Sequence, residues 1–362
     1  MYLNSHIRKI FSRATVLASS ACLAMAVAPV AVHAQESFIG EEAETTVGVI
    51  NPNGQSTRSV SSEMTLDEYW TLDRMSRATP VDATLDLPFA ADQATSNSKE
   101  VVVSPEVPER EQEASEPIEP FSSSSQTASE AHSRIGNSGA ANGKVFFSKK
   151  VNGRYKDYVC SASAVNSDNK STVITAGHCV HSGSGGEFHK NWVFVPEYTI
   201  GVAPHGRFKA NFMTTTTDWA NYGTTPRGFA ADFGFVTVNS ERGKRLVDAV
   251  GGHGLRSGNA GSFKADIIGY PANRFLGSSM FRCTVPVKNE NRSSYNFYMS
   301  YGCNFGGGAS GGAWLEDFNG TLGHIRSVSS FGPANGAAYL GSPIITSKIW
   351  DMFDSTASRP VK

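Results

Sequence analysis

Gly307-Gly308-Ala309-Ser310-Gly311-Gly312 decides the reading of this chain, together with Thr175-Ala176-Gly177-His178-Cys179 far upstream. A serine hydroxyl attacks poorly at neutral pH, because its proton has to leave as the new bond forms. A nearby imidazole can take that proton, and a third group has to hold the imidazole in the right tautomer. Glycines around the serine allow a tight turn that exposes it and leaves backbone N–H groups free to bind an oxyanion. Between the two motifs stands Ala231-Asp232-Phe233-Gly234-Phe235-Val236, an acid at the entrance of an apolar run. A buried carboxylate there would accept a hydrogen bond from the imidazole and stabilise its cation. Asp218 is a rival acid, but Asp232 alone precedes a β-like run.

The chain has 362 residues, enough for a sizeable core. It opens with Arg8, Lys9 and Arg13, then an apolar, Ala-rich stretch from Ala14 to Val30, then Val32-His33-Ala34. That pattern predicts a secretory signal peptide over 1–34, cut after Ala34, and too short and weakly apolar for a membrane span. The protein is therefore expected outside the cytoplasm, extracellular or periplasmic, with no membrane contact once the signal is removed; a monomer is expected.

The net charge of −1 hides a division. Gln35 to Arg134 carries 19 acidic and 6 basic residues, a net of −13, and Ile135 to Lys362 carries 14 acidic and 23 basic, a net of +9. The acidic stretch reads as a propeptide held partly by charge against the basic domain it precedes. The basic residues are scattered rather than interleaved with stacking aromatics, which argues against a nucleic-acid partner. Ser104 to Glu130, with its Pro-Glu spacing and serine run, reads as disordered linker. One island differs: Thr65 and Glu68 form a capping box at the start of Met64–Met75, whose apolar residues fall near one helical face, so a short helix is expected near 65–78. A lone amphipathic helix of this length is marginal in water and is a candidate to dock on the downstream domain.

From Gly143 short apolar, β-branched runs alternate with Gly, Asn and Ser turns: Lys144–Phe147, Tyr158–Ala164, Thr172–Ala176, Trp192–Val195, Phe233–Val238, Ala265–Gly269, Phe281–Val287, Tyr295–Met299, Gly312–Leu315 and Ile325–Ser329. This is the pattern of an all-β sandwich or barrel. Ile345, Ile349, Met352 and Phe353 then recur at helical spacing, so one amphipathic helix closes the chain. Once Cys22 leaves with the signal, Cys160, Cys179, Cys283 and Cys303 remain, an even number suited to disulfides in an exported chain. Three pairings are possible; Cys160–Cys179 and Cys283–Cys303 close the two shortest loops and are expected. No Cys-x-x-Cys pair is present, and no metal or other cofactor is expected.

Taken together, the motifs around His178, Asp232 and Ser310 make Gly143 to Phe353 resemble a trypsin-like serine peptidase of the chymotrypsin-fold superfamily, in its secreted microbial branch. Val159-Cys160-Ser161-Ala162, with Cys179, matches the disulfide that usually flanks the family's catalytic histidine. The resemblance implies two packed antiparallel six-stranded β-barrels, with a cleft between them, over a domain spanning 135–362. It implies His178 as general base then acid, Asp232 as its orienter and Ser310 as nucleophile. Gly308 and Ser310 would supply the oxyanion-hole N–H groups. Ser330-Phe331-Gly332 resembles the segment that lines the primary specificity pocket and pairs with substrate backbone, and Asn304 falls at the pocket base. Polypeptides would be the substrates and the pro-segment a partner.

Two departures matter. Ala309 stands where the family often has an aspartate that pairs with a new N-terminal amine, although Ser133-Arg134-Ile135-Gly136 still resembles an activation junction. Cleavage there could not mature the site through that ion pair. Asn304 supplies no carboxylate for a Lys or Arg side chain, and Ser329 stands where related glutamate-preferring enzymes use a histidine. A neutral or mixed primary preference is expected. Gly308-x-Ser310-x-Gly312 also fits the nucleophile elbow of α/β-hydrolases, but those enzymes place the histidine last, and only His324 follows Ser310. A silent, protease-fold binding module or adhesin is the alternative, and it would normally lack a member of the triad. The histidines at 181, 189, 205 and 253 have no partner at ligand spacing and read as surface or satisfied loop residues.

Overall fold

The computed structural model describes residues 37–43, 46–47, 64–87, 99–109, 132–134, 139–258, 261–333 and 339–362. The signal-like stretch 1–34 and Ile135 lie outside them. Six strands build the first half: β1 (Asn142–Val151), β2 (Arg154–Val165), β3 (Thr172–Thr175), β4 (Lys190–Pro196), β5 (Phe208–Thr216) and β6 (Gly234–Val238). All pair antiparallel in the order β4-β1-β2-β3-β6-β5, and β5 pairs back with β4, so the sheet closes into a barrel. Closure removes the exposed edges that an open sheet would present. Val145, Ala162, Ile174, Phe194, Phe208 and Val236 are among the buried residues that fill it.

The second half contains β7 (Gly254–Arg256), β8 (Ser262–Gly269), β9 (Phe281–Arg292), β10 (Tyr295–Tyr301), β11 (Ala313–Glu316), β12 (His324–Val328) and β13 (Tyr339–Ser342). Their order is β13-β10-β9-β8-β11-β12-β7, and a bridge between Phe331 and Gly341 brings the chain after β12 back onto β13. Ile267, Val285, Tyr298, Trp314 and Leu340 form its core. The helix Ser347–Ala357 follows and buries Ile349, Met352 and Phe353, with the Phe353 ring 5.4 Å from that of Phe235. Each of the ten apolar runs read from sequence overlaps a strand. No described helix is long and apolar enough to cross a membrane.

The described residues of the acidic N-terminal segment are laid on the domain. Phe38–Glu42 pairs antiparallel with β5, and Val102–Val103 pairs with β7. Within Ser104–Glu130, expected to be linker, residues 104–109 are laid on the domain: Glu106 bridges Gly252, and Ser104 accepts from Asn166. Residues 110–131 lie outside the described set. The island at 65–78 forms two short helices, Leu66–Tyr69 and Leu72–Arg77, the first closed by the Thr65–Glu68 capping box. They break at Trp70, whose backbone leaves the helical region while its indole is fully buried against Phe146.

Several acids of this segment meet bases of the domain: Glu41 with Lys190, Asp67 with Lys209, Glu100 with Arg256, Glu106 with Lys170 and Glu109 with Lys244. Exposed ion pairs contribute about 0–1 kcal/mol each, whereas truncating a buried Trp costs about 3–5 kcal/mol. The indole of Trp70 holds the segment more firmly than any one of these charges.

His253 ties the halves together. Its Nε2–H donates to Asn142 Oδ1 at 3.2 Å, and its Nδ1 accepts from the Gly323 N–H at 3.2 Å. Full burial pushes its pKa down to about 3, and burial also holds His189 well below the usual imidazole value. Both are neutral in the fold and ionise on unfolding, so their stabilisation is complete above the unfolded value near 6.5. It is lost as pH falls below that value, for His253 down to about 3. The expected result is a urea midpoint that drops between pH 6.5 and 4, and drops less in His253→Gln. Equal slopes in the two proteins would contradict this assignment.

Candidate active site

Strand β3 delivers Ala176 into a single 3-10 turn, Gly177–Cys179. A Cβ on Gly177 would sit 3.0 Å from Asp232 Oδ1 and from the Trp219 ring, so a glycine is what lets the carboxylate approach the turn. The His178 backbone N–H donates to Asp232 Oδ1 at 2.8 Å, and His178 Nδ1–H donates to Asp232 Oδ2 at 2.7 Å. Asp232 is fully buried, and Ser330 Oγ donates a third hydrogen bond to Oδ2 at 2.6 Å. With Nδ1 committed to a carboxylate, the neutral ring carries its lone pair on Nε2. That Nε2 is buried and has no hydrogen-bond partner. The rival acid Asp218 instead pairs with Arg227 near the surface.

Further groups hold the histidine in place. His189 Nε2–H donates to the His178 carbonyl at 3.1 Å, and the His189 ring stacks on Phe147 at 4.5 Å. Trp192 Nε1–H donates to the Cys179 carbonyl at 3.0 Å, and Cys179 is bonded to Cys160 on β2. His189 and Trp192 escaped the sequence reading, because nothing in a loop histidine's neighbours says which carbonyl it will meet.

Ser310 lies on a turn with left-handed glycines on both sides, Gly308 at φ +88° and Gly311 at φ +79°. A Cβ on Gly308 would lie 2.8 Å from the Tyr270 carbonyl, and one on Gly311 3.0 Å from the Ala176 nitrogen. Gly311 is thus pressed against the chain two residues before His178, which brings the serine and the histidine to one place. Ser161 fastens this turn from β2: its N–H donates to the Ser310 carbonyl at 2.7 Å, its Oγ donates to the Gly308 carbonyl at 2.8 Å, and its Oγ accepts from the Tyr270 N–H at 2.9 Å. The conjunction of Cys160 and Ser161 in one short motif therefore serves both the histidine and the serine.

Beside Ser310 a cavity of about 370 Å³ is lined by Asn304, Phe305, Ser330, Phe331 and Tyr339 among others. Phe331 is buried between Phe229 and Phe297 and forms a wall of it. Asn304 accepts at Oδ1 from Arg274 Nη2 at 2.8 Å, which places a guanidinium by that end of the cavity. Ser329 also lines the cavity, and its Oγ accepts from Trp314 Nε1 at 3.0 Å. Ala309 is buried against Gly269. Arg134 lies on Phe281 at the edge of β9.

One pairing read from sequence needs correction. Cys160–Cys179 is a disulfide, but Cys283 and Cys303 are two buried thiols. They are hydrogen-bonded to one another, and burial pushes the Cys303 thiol far above its ordinary value. Loop length alone ranked the pairing, and it does not report whether two sulfurs are joined. Among the described residues Cys160, His178 and Cys179 offer ligand atoms close enough for a metal. The set does not fit one, since both sulfurs are spent in the disulfide and His178 Nδ1 is spent on Asp232.

No family model matches the chain. Among curated proteins, an extracellular metalloprotease of Bacillus subtilis (strain 168) is 26% identical over 153 residues, which are 41% of this chain and 45% of that protein; the chain thus spans under half of this relative's length. Among solved structures, protease Anisep from Arthrobacter nicotinovorans is 30% identical with a TM-score of 0.56, over 62% of this chain and 99% of that one. The thermostable serine protease AL20 from an extremophilic microorganism is 32% identical with a TM-score of 0.55, over 61% of this chain and 98% of that one. Both likenesses span nearly the whole of the solved proteases. This chain belongs to the trypsin-like serine peptidases of the chymotrypsin-fold superfamily, in their microbial branch.

Proposed function

We propose that the protein is a secreted serine endopeptidase that works through an acyl-enzyme. Ser310 Oγ attacks the substrate carbonyl while His178 Nε2 takes its proton, and the imidazolium that forms is stabilised by Asp232. The oxyanion is held by the N–H groups of Gly308 and Ser310, and each such donor is worth about 3–4 kcal/mol in the transition state. His178 returns the proton to the leaving amine, the amine departs, and water repeats the sequence on the ester. The observation that carries this reading is the His178 ring itself: Nδ1–H bonded at 2.7 Å to a fully buried carboxylate, and Nε2 left without a partner.

The test is titration of the active, processed enzyme with a fluorophosphonate. One equivalent on Ser310, absent in Ser310→Ala, is expected; an unlabelled Ser310 would return the chain to the reading as a silent binding module. Asn304 brings no carboxylate, and the Arg274 guanidinium bonded to it opposes a cationic side chain by like charge. Peptide-library cleavage is expected to show a neutral or mixed preference, and strict cleavage after Lys or Arg contradicts that pocket assignment.

A further inference from the structure

Residues 79–87 of the acidic segment cross the cleft beside Ser310. Thr79–Pro80 runs parallel to Tyr158–Val159 of β2, and the Val81 N–H donates to the Val159 carbonyl at 3.0 Å. The Val81 carbonyl then accepts the Gly308 N–H at 2.8 Å. Further on, the Gly332 N–H donates to the Ala83 carbonyl and the Leu85 N–H donates to the Gly332 carbonyl, both at 3.0 Å, in a parallel bridge centred on Thr84. Tyr339 Oη donates to the Leu85 carbonyl at 2.9 Å, and Leu87 is buried with Trp219, Phe229 and Phe331. The stretch thus takes up the Gly308 donor and both backbone groups of Gly332.

The direction of this stretch is what matters. If Ser310 attacks as proposed and Ser330–Gly332 holds the acyl side of a substrate, the residue whose carbonyl sits in the oxyanion hole fills the pocket and the residues before it pair with that segment. Here the carbonyl at Gly308 belongs to Val81, but the cavity is lined by Asp82 and Ala83, and the pairing with Gly332 is made by residues 83–85. All of these follow the carbonyl instead of preceding it. The chain is threaded backwards, and attack on Val81 would leave the acyl half on the Tyr158–Val159 side.

We infer that Thr79–Leu87 is an inhibitory strap, held in the cleft in reverse so that it blocks polypeptides without being cut. This rests on the reading of Ser310 as the nucleophile. The preceding helices anchor it: Trp70 Nε1–H donates to the Asn191 carbonyl at 2.7 Å, Arg207 donates to the Trp70 carbonyl at 2.8 Å, and Arg74 pairs with Asp157 at 2.5 Å. Tethered this closely, the strap faces the cleft at an effective concentration that a free substrate does not reach.

The test uses the full chain with its N-terminal segment intact, checked by mass spectrometry. Ser310 is titrated with a fluorophosphonate in the native chain and in a Val81→Pro/Leu85→Pro variant, which loses the strap's two donated N–H bonds and leaves the anchor untouched. Hydrogen exchange at the Gly308 and Gly332 amides is read in both proteins, with a thermal melt to confirm that the domain remains folded. The strap predicts slow labelling and protected amides in the native chain, and labelling at least tenfold faster with exchanging amides in the variant. Equal labelling rates in two folded proteins, or a native chain cut between Val81 and Asp82 by its own Ser310, overturn it. If neither protein labels while only the variant's amides exchange, the strap stands and the nucleophile assignment fails.

Discussion

Asp232→Asn is expected to lower kcat about 10⁴-fold while leaving the enzyme folded. The carboxylate accepts from both the His178 N–H and Nδ1–H, and an amide can turn only one oxygen to them. If that oxygen stays on the backbone N–H, the NH₂ group faces the ring and favours the tautomer with its lone pair on Nδ1. Nε2 then carries a proton and cannot take one from Ser310. Ser330→Ala removes only one of the three hydrogen bonds to Asp232 and keeps the tautomer, so a loss nearer tenfold is expected. Steady-state kinetics on the two variants, with a thermal melt of each, separate the roles. Equal losses in both would mean that Asp232 acts through packing.

The largest effect on stability is expected from Gly311→Ala. Gly311 sits at φ +79°, where a side chain costs about 1–2 kcal/mol. The new methyl would also meet Thr175 Oγ1 and the Ser161 carbonyl on buried strands, and the Ala176 nitrogen just past one of them. Overpacking of that kind costs a further 1–3 kcal/mol or so, giving about 2–5 kcal/mol in total. Because the methyl pushes the serine turn away from the histidine strand, activity should fall further than the folded fraction does. Gly320→Ala is the control: it has φ +101° but nothing within 4 Å, so only the backbone penalty applies. Denaturant melts of the two variants measure the difference, and similar losses would show that the close approach at Gly311 is not tight.

The strands most legible in the sequence were those with apolar, β-branched runs bounded by turns, because burial on a barrel writes itself as hydrophobicity. Strand β5 was missed for the opposite reason. Its end, Thr214-Thr215-Thr216, is buried yet polar, and those hydroxyls donate to the carbonyls of Phe235, Phe233 and Ala231. That row of bonds clasps the backbone on either side of Asp232 and helps fix the acid in place. A threonine run of this kind carries no hydrophobic signal, so only its partners reveal it. Strands β7 and β13 are short and depend on neighbours far away in sequence.

In the site, the residue types that do chemistry were readable, since histidine, aspartate and serine have to stand in glycine-permissive surroundings. The groups that hold them, Ser161, His189 and Trp192, bond mostly to main-chain atoms, and a carbonyl has no identity in a sequence. The acidic segment was legible as charge and as one capped helix. Its route through the cleft was not, because it is set by backbone hydrogen bonds at Gly308 and Gly332, which carry no side-chain identity.

The most direct test is intact-mass analysis of the active enzyme quenched in acid during turnover of a slowly deacylated ester, followed by mapping of the modified peptide. An acyl group on Ser310, formed in a burst and absent in His178→Ala, is the predicted result. Continued turnover with no adduct, or with the adduct on another residue, would contradict the account.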